Sequence, residues 1–170
     1  MITLVLPDKI HKSAVERYKN QMIEANSSMD GTSDLANLTF EDWFYACENY
    51  RLGKNMRAGY VRATQFLAIR SSDQKLIGML NIRHELNDFL KHVGGHIGYS
   101  VAPNERRKGY ATEMLRLGLI ECKKLNLNKV LISCKKHNIG SSKVIEKNGG
   151  TFYETVEFNN DIFNKYRINI

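Results

Sequence analysis

Arg106-Arg107-Lys108-Gly109-Tyr110-Ala111 stands between a glycine-bearing apolar run and a long amphipathic one. The run before it, Gly94 to Val101, reads as a strand that Pro103-Asn104-Glu105 breaks. After it, Met114, Leu115, Gly118, Cys122 and Leu125 recur at helical spacing. Gly109 therefore falls at a helix N-terminus, where main-chain N–H groups lack intrahelical partners and sit at the positive end of the helix dipole. A phosphate placed there supplies both the missing acceptors and the favourable charge. Gly109 and Ala111 leave room for close approach to the backbone, and three cationic side chains precede them, so the stretch reads as a pyrophosphate cradle.

Working outward, the helix Ala111 to Leu125 leads to the apolar strand Val130 to Cys134, which reads as buried on both faces. A short helix from Ile139 to Lys147 stops at Asn148-Gly149-Gly150, and Thr151 to Phe158 with Phe163 to Ile170 form a closing hairpin. Upstream, Ile2 to Leu6 is a strand stopped by Pro7. Asp8 caps a helix to about Ala25 with Ile10, Ala14, Tyr18 and Met22 on one face. Asn26 to Leu38 is a loop. Thr39 and Asp42 start a second helix, bearing Trp43, Phe44, Cys47 and Tyr50, that Gly53 ends. Strands Thr64 to Arg70 and Leu76 to His84 follow, and Asn87 to His92 breaks the pattern before Gly94. Pattern alone gives a mixed α+β chain around a largely antiparallel sheet, residues 1–170 forming one domain.

Composition narrows the partners. The net charge of +7, from 25 Lys and Arg against 18 Asp and Glu, suits an anion such as a nucleic acid or a phosphorylated cofactor. The cations surround the glycine turn instead of studding one helix face. No helix-turn-helix, zinc or RNA-binding signature is present, which disfavours nucleic acid. The phosphate-loop pattern Gly-x-x-x-x-Gly-Lys-Ser/Thr is absent. No segment is long and apolar enough to span a bilayer and the N-terminus lacks a secretory pattern, so a soluble cytoplasmic protein without a membrane partner is expected. Cys47, Cys122 and Cys134, odd in number and set among apolar neighbours, read as reduced core thiols.

At Arg106, Gly109 and Ala111 the chain resembles the Gcn5-related N-acetyltransferase (GNAT) superfamily, whose acetyl-CoA-binding signature is Arg/Gln-x-x-Gly-x-Gly/Ala. The likeness runs from His96-Ile97-Gly98-Tyr99-Ser100-Val101-Ala102-Pro103 through the helix and next strand to Asn138, Ser141 and Lys147-Asn148-Gly149-Gly150, about 60 residues in matching order. The resemblance implies an acyl-CoA N-acyltransferase fold: a mostly antiparallel central sheet of about seven strands with four helices and a splayed cofactor cleft. It implies an acyltransferase that uses acetyl-CoA as co-substrate, needs no metal, and acts on a small-molecule or peptide amine, with a homodimer left open. Tyr99, Ser100 and Val101 would hold pantetheine through main-chain groups. Arg106, Arg107, Lys108, Gly109, Tyr110, Ala111 and Thr112 would hold the pyrophosphate, with Asn138 and Ser141 along the cofactor.

For the chemistry, an attacking amine must first lose a proton, and His96, then Glu85 and His84, are the candidate bases. Gly98 is a candidate bulge that opens the strand edge. His92 and His96 lack a third ligand, so no metal site is expected. Many relatives carry a tyrosine seven residues after the Asn to protonate the departing thiolate. Here that position is Ile145, leaving Tyr99, Tyr110, Tyr153, Tyr166 or water. That substitution keeps a noncatalytic acyl-CoA-sensing module as the alternative. Acceptor recognition is assigned to Trp43 to Arg62 and Arg83 to Asn87, where no motif speaks.

Overall fold

The apolar runs between Ala63 and Val101 become the ladder on which everything else is placed. The computed structural model describes residues 1–170. Strands β1 (Ile2–Val5), β2 (Ala63–Arg70), β3 (Leu76–Arg83) and β4 (Ile97–Val101) form one antiparallel sheet in that order. Strands β5 (Lys129–Lys135), β6 (Thr151–Phe158) and β7 (Asp161–Asn169) form a second, with β7 in the middle. The seven expected strands are all present. Only an isolated bridge, Gly95 to Ile132, joins the two sheets, and a cleft opens between them.

Four α-helices cover the strands: α1 (Lys12–Glu24), α2 (Phe40–Leu52), α3 (Tyr110–Lys124) and α4 (Ile139–Lys147). Strands β2 and β3 are buried almost throughout because helices occupy both faces. On one face Val15, Tyr18 and Met22 of α1 and Trp43 and Cys47 of α2 pack on Leu67, Ile69 and Met79. On the other, Met114, Leu115 and Cys122 of α3 pack on Ile77, Leu80 and Ile82, and the same core continues into Val130, Ile132 and Tyr166 of the second sheet. Each fully buried side chain of this size contributes about 1.5–3 kcal/mol. Cys47, Cys122 and Cys134 are free and buried, and burial raises all three thiol pKa values, Cys47 and Cys122 to about 12.

Three boundaries differ from the sequence reading. Asp8 caps a 3-10 turn, Lys9–His11, instead of α1 itself, which leaves Ile10 exposed. Strand β4 starts at Ile97 and not at Gly94, because Leu90–Gly94 winds into a π-helix. Gly98 makes no bulge. The β3–β4 register runs from Gly78↔Val101 to Ile82↔Ile97 without a shift. The α1–α2 loop instead comes close here at two glycines: a Cβ built on Gly98 would lie 3.0 Å from Gly31 N, and one built on Gly31 only 2.1 Å from the Gly98 carbonyl oxygen. No helix is long and apolar enough to cross a membrane.

Candidate active site

The β4 register decides which main-chain groups face the cleft. Arg83 N–H donates to the His96 carbonyl and Ala102 N–H to that of Ile77, which makes 83/96 and 77/102 hydrogen-bonded pairs of one antiparallel ladder. By alternation Gly98 and Ser100 spend their backbone groups on β3, whereas Ile97, Tyr99 and Val101 turn theirs outward, toward the gap before β5. Tyr99 and Val101 thus match the expected pantetheine edge and Ser100 does not. Its hydroxyl is also taken, accepting from Tyr18 Oη at 2.9 Å. The Val101 carbonyl accepts from Arg106 Nε at 3.0 Å.

In the cleft lining, Gly109 precedes α3 with φ +84 and no side-chain cap. The first intrahelical bond goes from Glu113 N–H to the Gly109 carbonyl, so the N–H groups of Tyr110, Ala111 and Thr112 are free for an anion. A side chain at Gly109 would point into open space, which is the room a ligand needs. The three preceding cations divide their work. Arg107 lines the cleft and makes no ion pair. Arg106 also lines it but folds back onto Val101 and Ser27 Oγ. Lys108 lies outside the lining and binds Glu105 Oε2 at 2.9 Å. Buried Glu105 also pairs with Arg70 and Lys75, and these cations lower its pKa to about 2. Lys108 therefore braces the loop through Glu105 and the Asn104 carbonyl.

On the opposite wall Asn138 Oδ1 accepts from Ser141 N–H at 3.1 Å and caps α4. Tyr99 Oη and Ser141 Oγ are 2.8 Å apart, joining the two walls. Burial holds the Tyr99 hydroxyl protonated well above the ordinary phenol value. Lys143, Lys147 and His137, passed over as site residues in the sequence, also line this cleft of about 1180 Å³. Their place beside Asn138 is the signal that could have found them. Ile145 is fully buried in the core and does not line the cleft.

The Acetyltransferase (GNAT) domain family matches residues 12–151. The chain belongs to the GNAT acetyltransferase family. GNAT proteins are acyltransferases, and the fold agrees throughout. The structure is similar to Mycobacterium smegmatis RimJ in complex with CoA-disulfide, with a TM-score of 0.74 and 18% identity over 99% of this chain and 81% of that one. It is also similar to the Microcin self immunity acetyltransferase MccE in complex with acetyl-CoA and AMP, with a TM-score of 0.72 and 18% identity over 99% and 92%. In sequence it is 33% identical over 89 residues to the uncharacterized N-acetyltransferase YnaD of Bacillus subtilis (strain 168), covering 46% of this chain. The chain spans about half the length of that curated relative, 51%.

The residues expected to act as bases in this GNAT member lie elsewhere than the cleft wall. His96 is buried at the closed end, where its main-chain N–H donates to the Leu131 carbonyl (2.7 Å) and its Nδ1 accepts from Leu131 N–H (2.9 Å). An imidazole that accepts at Nδ1 carries its proton on Nε2 and has no basic nitrogen left. His96 clasps β4 to β5. Glu85 is exposed and lines neither cavity, and His84 Nε2 pairs with Thr64 Oγ1 at 2.8 Å. No cluster of three or more His, Cys, Asp or Glu side chains is placed to hold a metal ion. A second cavity of about 490 Å³ adjoins the cleft; Ala46, Tyr50, Arg57, Gly59, Tyr60, Val61, Arg83 and Asn87 of its lining fall in the two segments assigned to acceptor recognition, whereas its residues from Met29–Leu38 come from a stretch read only as a loop. Trp43 is not among them; it is core, its Nε1 donating to the Thr32 carbonyl.

Proposed function

We propose that this chain transfers the acetyl group of acetyl-CoA directly to an amine delivered through the second cavity. The observation that carries this reading is one cleft lined both by an uncapped helix N-terminus and by the strand whose main-chain edge at Ile97, Tyr99 and Val101 turns outward. The first suits a pyrophosphate and the second an extended pantetheine laid along the strand. That MccE was crystallised with acetyl-CoA supports the same ligand here.

In the proposed reaction the amine nitrogen attacks the thioester carbon and the C–S bond breaks. An outward N–H of Ile97 or Tyr99 stabilises the negative charge that builds on the carbonyl oxygen. The sulfur leaves as a thiolate and takes the proton of Tyr99 Oη, which Ser141 Oγ positions. Asp30, which lines both cavities, attracts the incoming ammonium; one proton leaves it through water before attack, and the second, shed by the nitrogen as the amide forms, restores Tyr99 Oη. Tyr110 is the other tyrosine in the cleft lining, but its Oη accepts from Arg70 Nη1 at 3.2 Å.

Calorimetric titration with acetyl-CoA and a thiol-release assay over a broad amine panel test this. We expect micromolar binding that Gly109→Asp removes, since a carboxylate would occupy the anion site. We further expect amine-stimulated CoA release that Tyr99→Phe lowers by roughly 10–10²-fold. Saturable binding with no amine stimulation would make the chain an acyl-CoA sensor instead.

A further inference from the structure

The second cavity shares Asp30, Gly31, Arg83, Phe89 and Leu90 with the main cleft, so whatever binds in it abuts the site of transfer. Arg83 closes β3 at this junction. Its Nη1 donates to the carbonyls of Gly95 (3.1 Å) and Gly94 (3.4 Å) at the end of the π-helix. Nothing in the protein accepts from its Nε or Nη2, and no carboxylate lies within ion-pair distance. By contrast Arg51, Arg57 and Arg70 pair with Glu48, Asp34 and Asp73. Arg83 is half-buried, its unpartnered Nε and Nη2 still reached by solvent, and burial pulls its pKa below the ordinary arginine value, partly offset by Asp30.

The Nε–Nη2 edge is the side of a guanidinium that meets both oxygens of a carboxylate at once. Asp30 supplies the opposite charge at the same junction. Its Oδ2 accepts from Ser28 Oγ at 2.9 Å, and its Oδ1 has no partner. Beyond the pair, Tyr50 and Tyr60 stack with centroids 5.4 Å apart and planes 7° from parallel, giving the cavity a flat aromatic wall.

Resting on the acetyltransferase reading, we propose that the acceptor is a small zwitterion, an α-amino acid or close analogue. Its carboxylate is held by the Nε–Nη2 edge of Arg83, its amino group turns toward Asp30 and the main cleft, and its side chain lies against Tyr50 and Tyr60. A peptide or protein N-terminus has an amide where this site expects a carboxylate, which separates the two acceptor classes.

The test offers wild-type protein each common α-amino acid and its carboxamide, with acetyl-CoA, and follows thiol release. Calorimetry of the same acids and amides against the CoA complex gives a second readout that needs no turnover. We expect at least one acid, with an apolar or aromatic side chain, to exceed its amide in kcat/KM by on the order of 10²-fold. Arg83→Gln should abolish that preference and Arg83→Lys should restore part of it. Amides or plain amines used as well as acids would overturn the inference and leave the acetyltransferase reading intact. So would a preference that survives in Arg83→Gln. Arg83-dependent binding of an acid with no transfer to any amine would uphold the inference and overturn the reading. Acids that neither bind nor react would overturn the inference, and because this comparison is made on wild-type protein it stands even if a variant fails to fold.

Discussion

His96 shows how a single ring can decide the shape of a cleft. Its Nδ1 takes the place of a strand carbonyl, accepting the Leu131 N–H at the point where β4 and β5 part. Protonation would set a donor against that donor, and burial, with Arg83 nearby, lowers the His96 pKa from 6.5. The unfolded chain therefore takes up the proton first as pH falls, so the stability the neutral ring contributes is full above about 6.5 and is progressively lost below it. His96→Ala should weaken acetyl-CoA binding and turnover together, and the acid slope of the wild-type melting temperature below that pH should flatten in the variant. A variant with unchanged cofactor affinity and turnover reduced ~10²-fold would instead identify His96 as a base. Ser141 was reached only through the family resemblance, whereas Gly109 as a helix start and Asn138 as a cap were legible in the sequence because such features are local to the chain. His96 was not, since the direction of its ring depends on a strand 35 residues away. Arg83 was legible only as part of a segment, because its free edge results from β3, the π-helix and the loop at Asp30 together.

Among the elements, the segment from Pro103 to Gly109 is the one whose rigidity the cofactor site depends on. Buried Glu105 gathers Arg70 (2.9 Å), Lys75 (2.7 Å) and Lys108 (2.9 Å), fixing the approach to α3. Glu105→Gln would leave three cations facing one another and should cost about 3 kcal/mol, read as a lowered melting temperature. In wild-type protein the contribution of this carboxylate is present above its ordinary value of 4.5 and lost as pH falls toward about 2. A variant as stable as wild type would show that the cluster contributes only surface charge. The order and type of the strands and α-helices followed from periodicity and caps. The π-helix did not: its i→i+5 bonding has no sequence period, so Leu90–Gly94 read only as an interruption.

At the scale of the molecule, the proposed function assigns the two substrates to the two faces of the first sheet. The α3 face carries the anion end of the cleft, and the α1–α2 side carries the second cavity, with Gly31 touching Gly98 between them. Gly31→Ala would bring a Cβ against the Gly98 carbonyl at a φ of +73. The loop must then lift, costing about 1–3 kcal/mol. We expect the KM for the amine to rise at least about tenfold while acetyl-CoA affinity falls less, because the loop gives most of its lining residues to the second cavity and only Ser27, Ser28, Asp30 and Gly31 to the main cleft. Equal losses for both substrates would show that the loop positions the cofactor as well. The sequence marked the cofactor half clearly and the acceptor half hardly at all. A pyrophosphate asks for one local geometry, whereas a cavity assembled from loops has no motif.

The Gly31–Gly98 contact also limits how this protein can be re-engineered. Grafting the α1–α2 loop of another acetyltransferase to import its selectivity would succeed only if the donor loop lands a residue without a side chain over Gly98. A chimera that ignores this joint would carry a well-formed new recognition loop and an untouched cofactor groove, held too far apart for the two reactants to meet.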